Sequence, residues 1–226
     1  LAMNLEECIE ISKIYSVSRL LSDQGPLILK RPFRNPHHTV SPQALAGGGG
    51  RPRPGEISLA SGGILFLDEL PEMGREALET LRQPLEERRV TITRLQGAVT
   101  YPANFQLVAA MNPCPCGHFP DRSRCSCTPA QIRKYLGRIS GPLLDRIDIC
   151  VEAAPVSYDE IRVNKGGESS ASIRSRVARA RKLQARRFRG LGIRCNAEMT
   201  GAMIRRFCVL DTESERLLEE VYQKKG

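Results

Sequence analysis

A short apolar run that ends in two carboxylates constrains the fold of this chain more than any other feature. Ile64–Leu67 follows the pair Gly62–Gly63 and leads directly into Asp68 and Glu69. Such a run predicts a buried strand, as in the parallel sheet of an α/β domain. Ligands of these sheets bind at the carboxyl ends of the strands. Asp68 can therefore contact Mg²⁺ and Glu69 can polarise an attacking water in nucleotide hydrolysis, although an acidic surface turn is the competing interpretation.

The positive charge of the chain is concentrated towards its C-terminal end. The 226 residues carry a formal net charge of +9, and residues 172–206 contain eleven Arg and Lys against the single acid Glu198. The natural partner of such a segment is a polyanion such as DNA, or the acidic face of a neighbouring subunit. A helix face that meets only solvent gives the same pattern, and the sequence leaves these interpretations open.

The sequence contains no sign of a membrane segment or of export. No apolar run approaches the ~18 residues of a membrane span, and the opening residues lack the pattern of a signal peptide. The eight cysteines are too unevenly spaced for a secreted disulfide framework. We therefore expect a cytoplasmic protein without membrane contact. The isolated cysteines are expected to be buried or inert, namely Cys8, Cys150, Cys195 and Cys208.

The hydrophobic pattern divides the chain into an α/β domain and a smaller helical one. Strand and helix patterns alternate over residues 1–155, a linker is expected over 156–170, and only helical patterns occur over 171–226. Within the first domain, capping boxes predict helices that begin after Asn4 and Thr128.

Two further segments of the first domain have clear local signals. A helix is expected over residues 74–81, with Pro84 beyond its end. The alternating segments 90–94 and 98–101 are joined by Leu95-Gln96-Gly97, and they predict a β-hairpin.

The remaining parts of this domain are predicted from composition and position. A second core strand is expected over residues 104–111, with Asn112 at its tip, and a short strand is expected within 144–151. Residues 24–56 are rich in Pro, Gly and Arg and too long for a simple connector, so we expect them to be functional. For His37-His38 in this segment, a structural or subunit-interface role is favoured over catalysis.

Four clustered cysteines form a candidate metal site. Cys114 and Cys116 make one Cys-x-Cys pair, Cys125 and Cys127 make another, and eight residues separate the pairs. Four thiolates so grouped supply the tetrahedral shell that structural Zn²⁺ requires, and His118 could replace one sulfur. Reduced surface thiols in a loop rich in Pro, Gly and Arg are the alternative.

Several segments taken together identify a family. They are Arg31–Thr39, Pro54–Ala60, the strand that ends at Asp68-Glu69, Ala110–Gly117 and Gly141–Asp148. In this combination the chain resembles, over nearly its whole length, the bacterial magnesium-chelatase-like AAA+ family of the YifB and ComM competence-protein type. The resemblance implies a P-loop NTPase-type parallel sheet core with a small helical lid, in a hexameric ring that hydrolyses ATP with Mg²⁺. It also implies the helix-2-insert clade, and ComM-like members are associated with DNA branch migration.

The resemblance further implies roles for the residues at the strand ends. Asp68 matches the Walker B contact to Mg²⁺, and Glu69 matches the residue that activates water. Asn112 matches sensor 1, which hydrogen-bonds the γ-phosphate or that water. For Asn112, a plain turn residue before Pro113 is the alternative.

Two more roles are implied at the subunit contact and in the central pore. Arg146 matches the arginine finger offered to the next subunit's nucleotide, where positive charge stabilises the developing oxyanions. An ion pair with Asp145 or Asp148 is the alternative for this side chain. The predicted hairpin is similar to the presensor-1 hairpin of related helicases, which makes Arg94 and Gln96 candidates for contact with DNA.

The chain departs from the family pattern in one respect. No Gly-x-x-x-x-Gly-Lys-[Ser/Thr] P-loop occurs in it, since Gly47–Gly50 is followed by Arg51-Pro52. The family's Walker A segment is expected upstream of Leu1, and its sensor 2 arginine after Gly226. We therefore expect this chain alone to be an inactive fragment that binds ATP weakly or not at all.

Three functions are consistent with these features. The leading hypothesis is a ring-forming ATP-driven motor that acts on DNA. A second is a chelatase-type ATPase motor that remodels a partner protein. A third, from a different class, is a DNA-binding module that is stapled by zinc and does not hydrolyse ATP.

Overall fold

The structure is a computed structural model that describes residues 3–21, 25, 27–94, 97–153, 156, 162 and 167–225. The chain divides into one unit over residues 2–153 and another over residues 154–226. The first is a mixed α/β unit and the second is helical, so the expected fold class is confirmed. No helix in the described ranges is both long enough and apolar enough to cross a bilayer.

Helices and strands alternate along the first unit. Its helices are α1 (Leu5–Val17), α2 (Pro42–Ala46), α3 (Glu56–Leu59), α4 (Arg75–Glu79), α5 (Arg82–Glu87), α6 (Pro129–Leu136) and α7 (Gly141–Leu144), with a 3₁₀ turn at Leu70–Glu72. Its strands are β1 (Phe33–Arg34), β2 (Gly47–Gly48), β3 (Arg53–Pro54), β4 (Ile64–Leu67), β5 (Arg89–Arg94), β6 (Gly97–Pro102) and β7 (Gln106–Ala109).

A three-stranded parallel sheet forms the centre of this unit. The predicted apolar strand is β4, which lies between β1 and β7 and runs parallel to both. Leu65 pairs with Leu107, and Leu67 pairs with Ala109. Because all three strands run the same way, their carboxyl ends open onto one edge of the sheet.

The core of the first unit packs against one face of β4. Leu65 and Leu67 are fully buried, and burying such a side chain stabilises the fold by about 1.5–3 kcal/mol. The residues packed with them from the helices and the β5–β6 hairpin include Leu45, Ile57, Leu78, Leu81, Ile92 and Leu143. The other face of β4 is only half-buried, so the predicted buried strand is fully buried on one face. There Phe66 stacks on Phe33, with the ring centroids 6.1 Å apart.

Both predicted capping boxes are confirmed. The side chain of Asn4 accepts a hydrogen bond from the Glu7 N–H, and the Glu7 carboxylate accepts one from the Asn4 N–H. Thr128 and Gln131 form the same reciprocal pair at the start of α6. These caps satisfy N–H groups that have no acceptor within the first turn of a helix.

Three expectations about this unit need correction. The helix expected over 74–81 is the shorter α4, and a second helix, α5, follows it. Pro84 lies in the first turn of α5, where a missing N–H breaks no intrahelical bond. The second core strand is present as β7 but is mostly exposed. The described residues 145–153 contain no strand, and Ile149 and Val151 are exposed because no described strand pairs with them.

The second unit consists of helices. They are α8 (Ser170–Arg187), α9 (Gly201–Phe207) and α10 (Thr212–Lys225), with a 3₁₀ turn at Asn196–Glu198. Phe188, at the end of α8, is buried and meets Phe207 edge to face, with the ring centroids 5.7 Å apart. Helix α8 has no buried residue, so its arginines face solvent.

Candidate functional site

Three of the predicted site residues lie at the carboxyl ends of two paired strands. Asp68 and Glu69 follow β4 directly, and Asn112 is the third residue after β7. The two segments stay paired beyond the strands, because the N–H of Leu70 donates to the carbonyl of Ala110 over 3.0 Å. All three side chains are exposed at this edge. Together with His38, described below, they are called the strand-end site.

Glu69 has a left-handed backbone conformation, with φ 51° and ψ 44°. This conformation costs a non-glycine residue on the order of 1–3 kcal/mol, and it persists only where neighbours impose it. Here Leu70 and Pro71 are buried directly after it, and the N–H of Glu69 donates to Oδ1 of Asp68 over 2.8 Å. The turn therefore fixes the backbone from which both carboxylates project.

His38 belongs to this site, and sequence reasoning did not place it there. Its Nδ1 lies 2.8 Å from Oε2 of Glu69, and its ring packs beside His37, with the centroids 4.1 Å apart. The loop that carries His38 leaves the sheet after Arg34, at the edge where β4 also ends. The position of His38 shortly after a strand could have placed it at this edge of the sheet. However, a two-residue strand is too short to produce a recognisable hydrophobic pattern.

The donor set of the strand-end site fits a hard divalent cation. Asp68 forms no ion pair within the described part of the chain, and its Oδ1 accepts only the Glu69 N–H. Carboxylate and amide oxygens are the ligands that Mg²⁺ takes from proteins, and Mg²⁺ keeps several waters at exposed sites. Asp68 could therefore hold Mg²⁺, with the amide oxygen of Asn112 as a neighbouring polar group.

Arg146 lies elsewhere in the same unit and is held by its own chain. It follows α7, and its guanidinium donates to the carbonyl of Pro142 and pairs with the carboxylate of Glu86 on α5. Its ion-pair partner is thus neither Asp145 nor Asp148. The structure does not join Arg146 to the strand-end site of its own chain, and its role as an arginine finger stays a prediction.

The predicted hairpin is present as β5 and β6. Gly97 pairs with Arg94, so the connection is the two residues 95–96 rather than three. Gln96, a predicted DNA contact, lies outside the described residues. Arg94 is exposed at the end of β5, and its guanidinium donates to the carbonyl of Thr93 over 2.8 Å.

A second hairpin, formed by β2 and β3, packs against the first. The guanidinium of Arg94 lies against Gly48, where a Cβ would come within 2.9 Å of it. The hydroxyl of Tyr101 donates to the carbonyl of Pro52 over 2.9 Å. Two exposed arginines of this hairpin, Arg51 and Arg53, form no ion pair among the described residues. Sequence reasoning missed this pairing, because a strand of two glycines has no side-chain pattern.

The four predicted cysteines converge on one point. The Sγ atoms of Cys114, Cys116, Cys125 and Cys127 all lie within 4.8 Å of one another. Hydrogen bonding from the backbone of His118 lowers the pKa of the Cys116 thiol to about 6. Burial and the neighbouring thiols raise the pKa of Cys127 to about 11. This group is called the cysteine cluster.

Two family models match the chain over both of its units. The model of magnesium chelatase, subunit ChlI, matches residues 1–161. The model of the C-terminal region of subunit ChlI matches residues 167–226.

Bacterial relatives match most of the chain. The uncharacterized protein YifB of Escherichia coli is 45% identical over 95% of this chain and 41% of the relative. YifB of Salmonella typhimurium is 47% identical over 84% of this chain and 37% of the relative. The competence protein ComM of Haemophilus influenzae is 45% identical over 87% of this chain and 38% of the relative. The chain therefore spans about two fifths of the length of these relatives.

One solved structure overlaps with a smaller part of the chain. NtrX from Brucella abortus in complex with ADP matches 35% of this chain and 19% of that chain, with a TM-score of 0.30 and 25% identity. An overlap of this extent carries no argument about fold or ligand.

Proposed function

This chain belongs to the magnesium chelatase subunit ChlI family, and from that premise we propose that it is the hydrolytic part of an ATP-driven ring motor. The observation that carries the proposal is the strand-end site. Asp68, Glu69 and Asn112 leave two parallel strands at one edge of a sheet, which is where α/β folds bind their ligands. An acid pair and an amide at this edge have the chemistry that nucleotide hydrolysis needs.

In the proposed reaction each side chain acts on a different atom. Asp68 would hold Mg²⁺, which neutralises charge on the phosphates. Glu69 orients the attacking water and accepts its proton, and Asn112 donates its amide hydrogen to the γ-phosphate or to that water. His38 binds one oxygen of Glu69 and so limits the directions in which this carboxylate can point.

The whole assembly that we propose is a hexameric ring in the cytoplasm. Arg146 would act on the nucleotide of the next subunit, so that hydrolysis depends on ring closure. The strand-end site would hold ATP and Mg²⁺, and the cysteine cluster would hold a structural Zn²⁺. The sequence contains no P-loop to hold the phosphates, and we therefore expect the chain to be inactive by itself.

We propose DNA as the substrate of the motor. Arg51, Arg53 and Arg94 lie exposed on two hairpins that pack together, which gives a positive surface suited to phosphates. The exposed arginines of α8 add positive charge in the second unit. The Haemophilus influenzae relative is a competence protein, which also favours DNA.

A chelatase-type motor that remodels a partner protein is the second candidate. The family models favour it, because both are named for a magnesium chelatase subunit. This motor would hydrolyse ATP at the same strand-end site, but a partner protein instead of DNA would bind the two hairpins. DNA-stimulated hydrolysis therefore discriminates between the two candidates.

Hydrolysis is tested with a protein expressed at the length of its relatives. Glu69→Gln keeps the size of the side chain but removes the base, so we expect ATP turnover to fall by about 10²–10⁴-fold with nucleotide binding retained. Glu76→Gln, on the exposed side of α4, is the matched control and should turn over normally. If Glu69→Gln hydrolyses ATP at the original rate, the motor proposal is wrong.

The DNA substrate is tested by binding at several salt concentrations. We expect Arg51→Ala and Arg94→Ala each to lower the slope of log affinity against log salt by about one, because each arginine neutralises one phosphate. Arg75→Ala, an exposed arginine on α4, is the control. An unchanged slope in both variants, together with ATPase activity that ignores DNA, would favour the protein-remodelling motor.

A further inference from the structure

We propose that the Zn²⁺ of the cysteine cluster is a clip that fixes the segment carrying Asn112. Metal binding and its effect on the backbone are inferred from the cysteine cluster alone. The importance of the Asn112 position for ATP hydrolysis rests on the proposed function.

The sulfur atoms are spaced as a tetrahedral zinc site requires. Sγ of Cys114 lies 3.4 Å from that of Cys116 and 3.8 Å from that of Cys125, and the Cys116 and Cys125 sulfurs are 3.6 Å apart. Four sulfurs at about 2.3 Å from one Zn²⁺ lie about 3.8 Å from each other. A disulfide would need about 2.05 Å. An all-thiolate shell selects a soft cation such as Zn²⁺ and excludes Mg²⁺ and Ca²⁺.

Backbone groups around the cluster support thiolate ligands. The N–H of Phe119 donates to Sγ of Cys114 over 3.4 Å. Gly117 has a positive φ of 80°, which lets the chain turn back directly after Cys116. Hydrogen bonds of this kind orient metal ligands and stabilise their charge.

Besides the cysteines, the segment 114–127 is held by local turn hydrogen bonds. It contains no helix or strand, and Cys114 is its single buried residue. An irregular segment without an apolar core must be stapled by other means, and in short segments a metal is one of the usual staples. Cys150 and Cys208, by contrast, are exposed and lie outside the cluster.

The cluster adjoins the strand-end site through the chain and through space. Asn112 precedes Cys114 by two residues, and a Cβ at Gly117 would lie 3.9 Å from Cγ and Oδ1 of Asn112. The Asn112 amide thus lies close to the turn that brings Cys114 and Cys116 to the metal. Asn112 is exposed, so the clip, which fixes the backbone on both sides of Gly117, acts as its positioning support.

Metal content is the first test, made on protein expressed at the length of its relatives and purified without chelators. We expect about one zinc per chain by mass spectrometry of the metal, and tetrahedral thiolate charge-transfer bands after exchange with Co²⁺. Cys125→Ser and Cys127→Ser should lose the metal, while Cys150→Ser and Cys208→Ser should keep it. Wild-type protein with well under one zinc per chain, or a disulfide within the cluster, overturns the proposal.

Hydrogen exchange of the backbone tests the clip without reference to activity. Removal of zinc by a chelator should accelerate exchange in the peptide that contains residues 110–117 by at least tenfold, with exchange in β4 unchanged. Equal exchange with and without metal overturns the positioning role. A wild-type protein that holds zinc and protects this peptide but shows no ATPase activity overturns the proposed function and leaves the clip standing.

Discussion

The strand-end site and the cysteine cluster adjoin each other at Asn112, but different forces hold them. Asp68 and Glu69 follow a strand whose residues Leu65 and Leu67 are fully buried, and the sheet register sets their place. The cluster lies in a segment with a single buried residue, and side chains that converge on one point set its shape. Apolar packing positions functional groups that stand next to the core, whereas bonds to a ligand must position groups beyond it.

The largest effect that separates the two regions is expected from the core beneath β4. Leu67→Ala removes a fully buried side chain and should lower the free energy of unfolding by about 2–5 kcal/mol. Urea denaturation followed by circular dichroism measures this change. Val108→Ala, on the exposed side of β7, is the control and should lower it much less. Equal losses in both variants would mean that packing does not hold the strand-end site.

A smaller effect is expected when the clip is broken. Loss of the groups that support a metal site commonly lowers metal affinity or activity by about 10–100-fold. We expect Cys125→Ser to lower kcat for ATP hydrolysis by about tenfold. The Kd for nucleotide should not change, and a variant that combines Cys125→Ser with Asn112→Ala should be no slower than Asn112→Ala alone. Additive losses in the combined variant would show that the cluster acts by another route.

The smallest effect is expected from His38, which refines the position of one carboxylate. The pair with Glu69 is partly exposed, with His38 at 31% and Glu69 at 50%, so its contribution is screened to about 1 kcal/mol. We expect His38→Ala to reduce kcat about fivefold with KM unchanged. His37→Ala, which removes the adjacent ring, should reduce it less. A normal kcat in His38→Ala would exclude a positioning role for this residue.

Elements with local signals were predictable from the sequence. The apolar run of β4, the capping boxes at Asn4 and Thr128 and the β5–β6 hairpin all depend on residues close together in the chain. The prediction that Pro84 lies beyond the end of a helix was wrong, because the compatibility of proline with a helix depends on where the first turn begins. The strand predicted within 144–151 is absent from the described residues. A strand also requires a partner, and no described strand lies beside this segment.

The candidate site was predictable to the extent that its residues follow strands with an apolar sequence pattern. Asp68, Glu69 and Asn112 could be brought together from the rule that parallel strands end at the same edge. The convergence of the cysteines followed from their spacing. The pairing of His38 with Glu69 and of Arg146 with Glu86 could not be inferred, because each joins segments whose approach is set by the tertiary fold.

The ion pair with Glu86 and the hydrogen bond to Pro142 that hold Arg146 have a consequence for how subunits would recognise each other. A long, flexible side chain normally loses rotational freedom at the moment of docking, which weakens association. Here that freedom is already lost in the separate chain, since two acceptors hold the guanidinium before any partner arrives. In the proposed ring, a nucleotide presented by an adjacent copy would meet an already positioned guanidinium, which it would share with the Glu86 carboxylate.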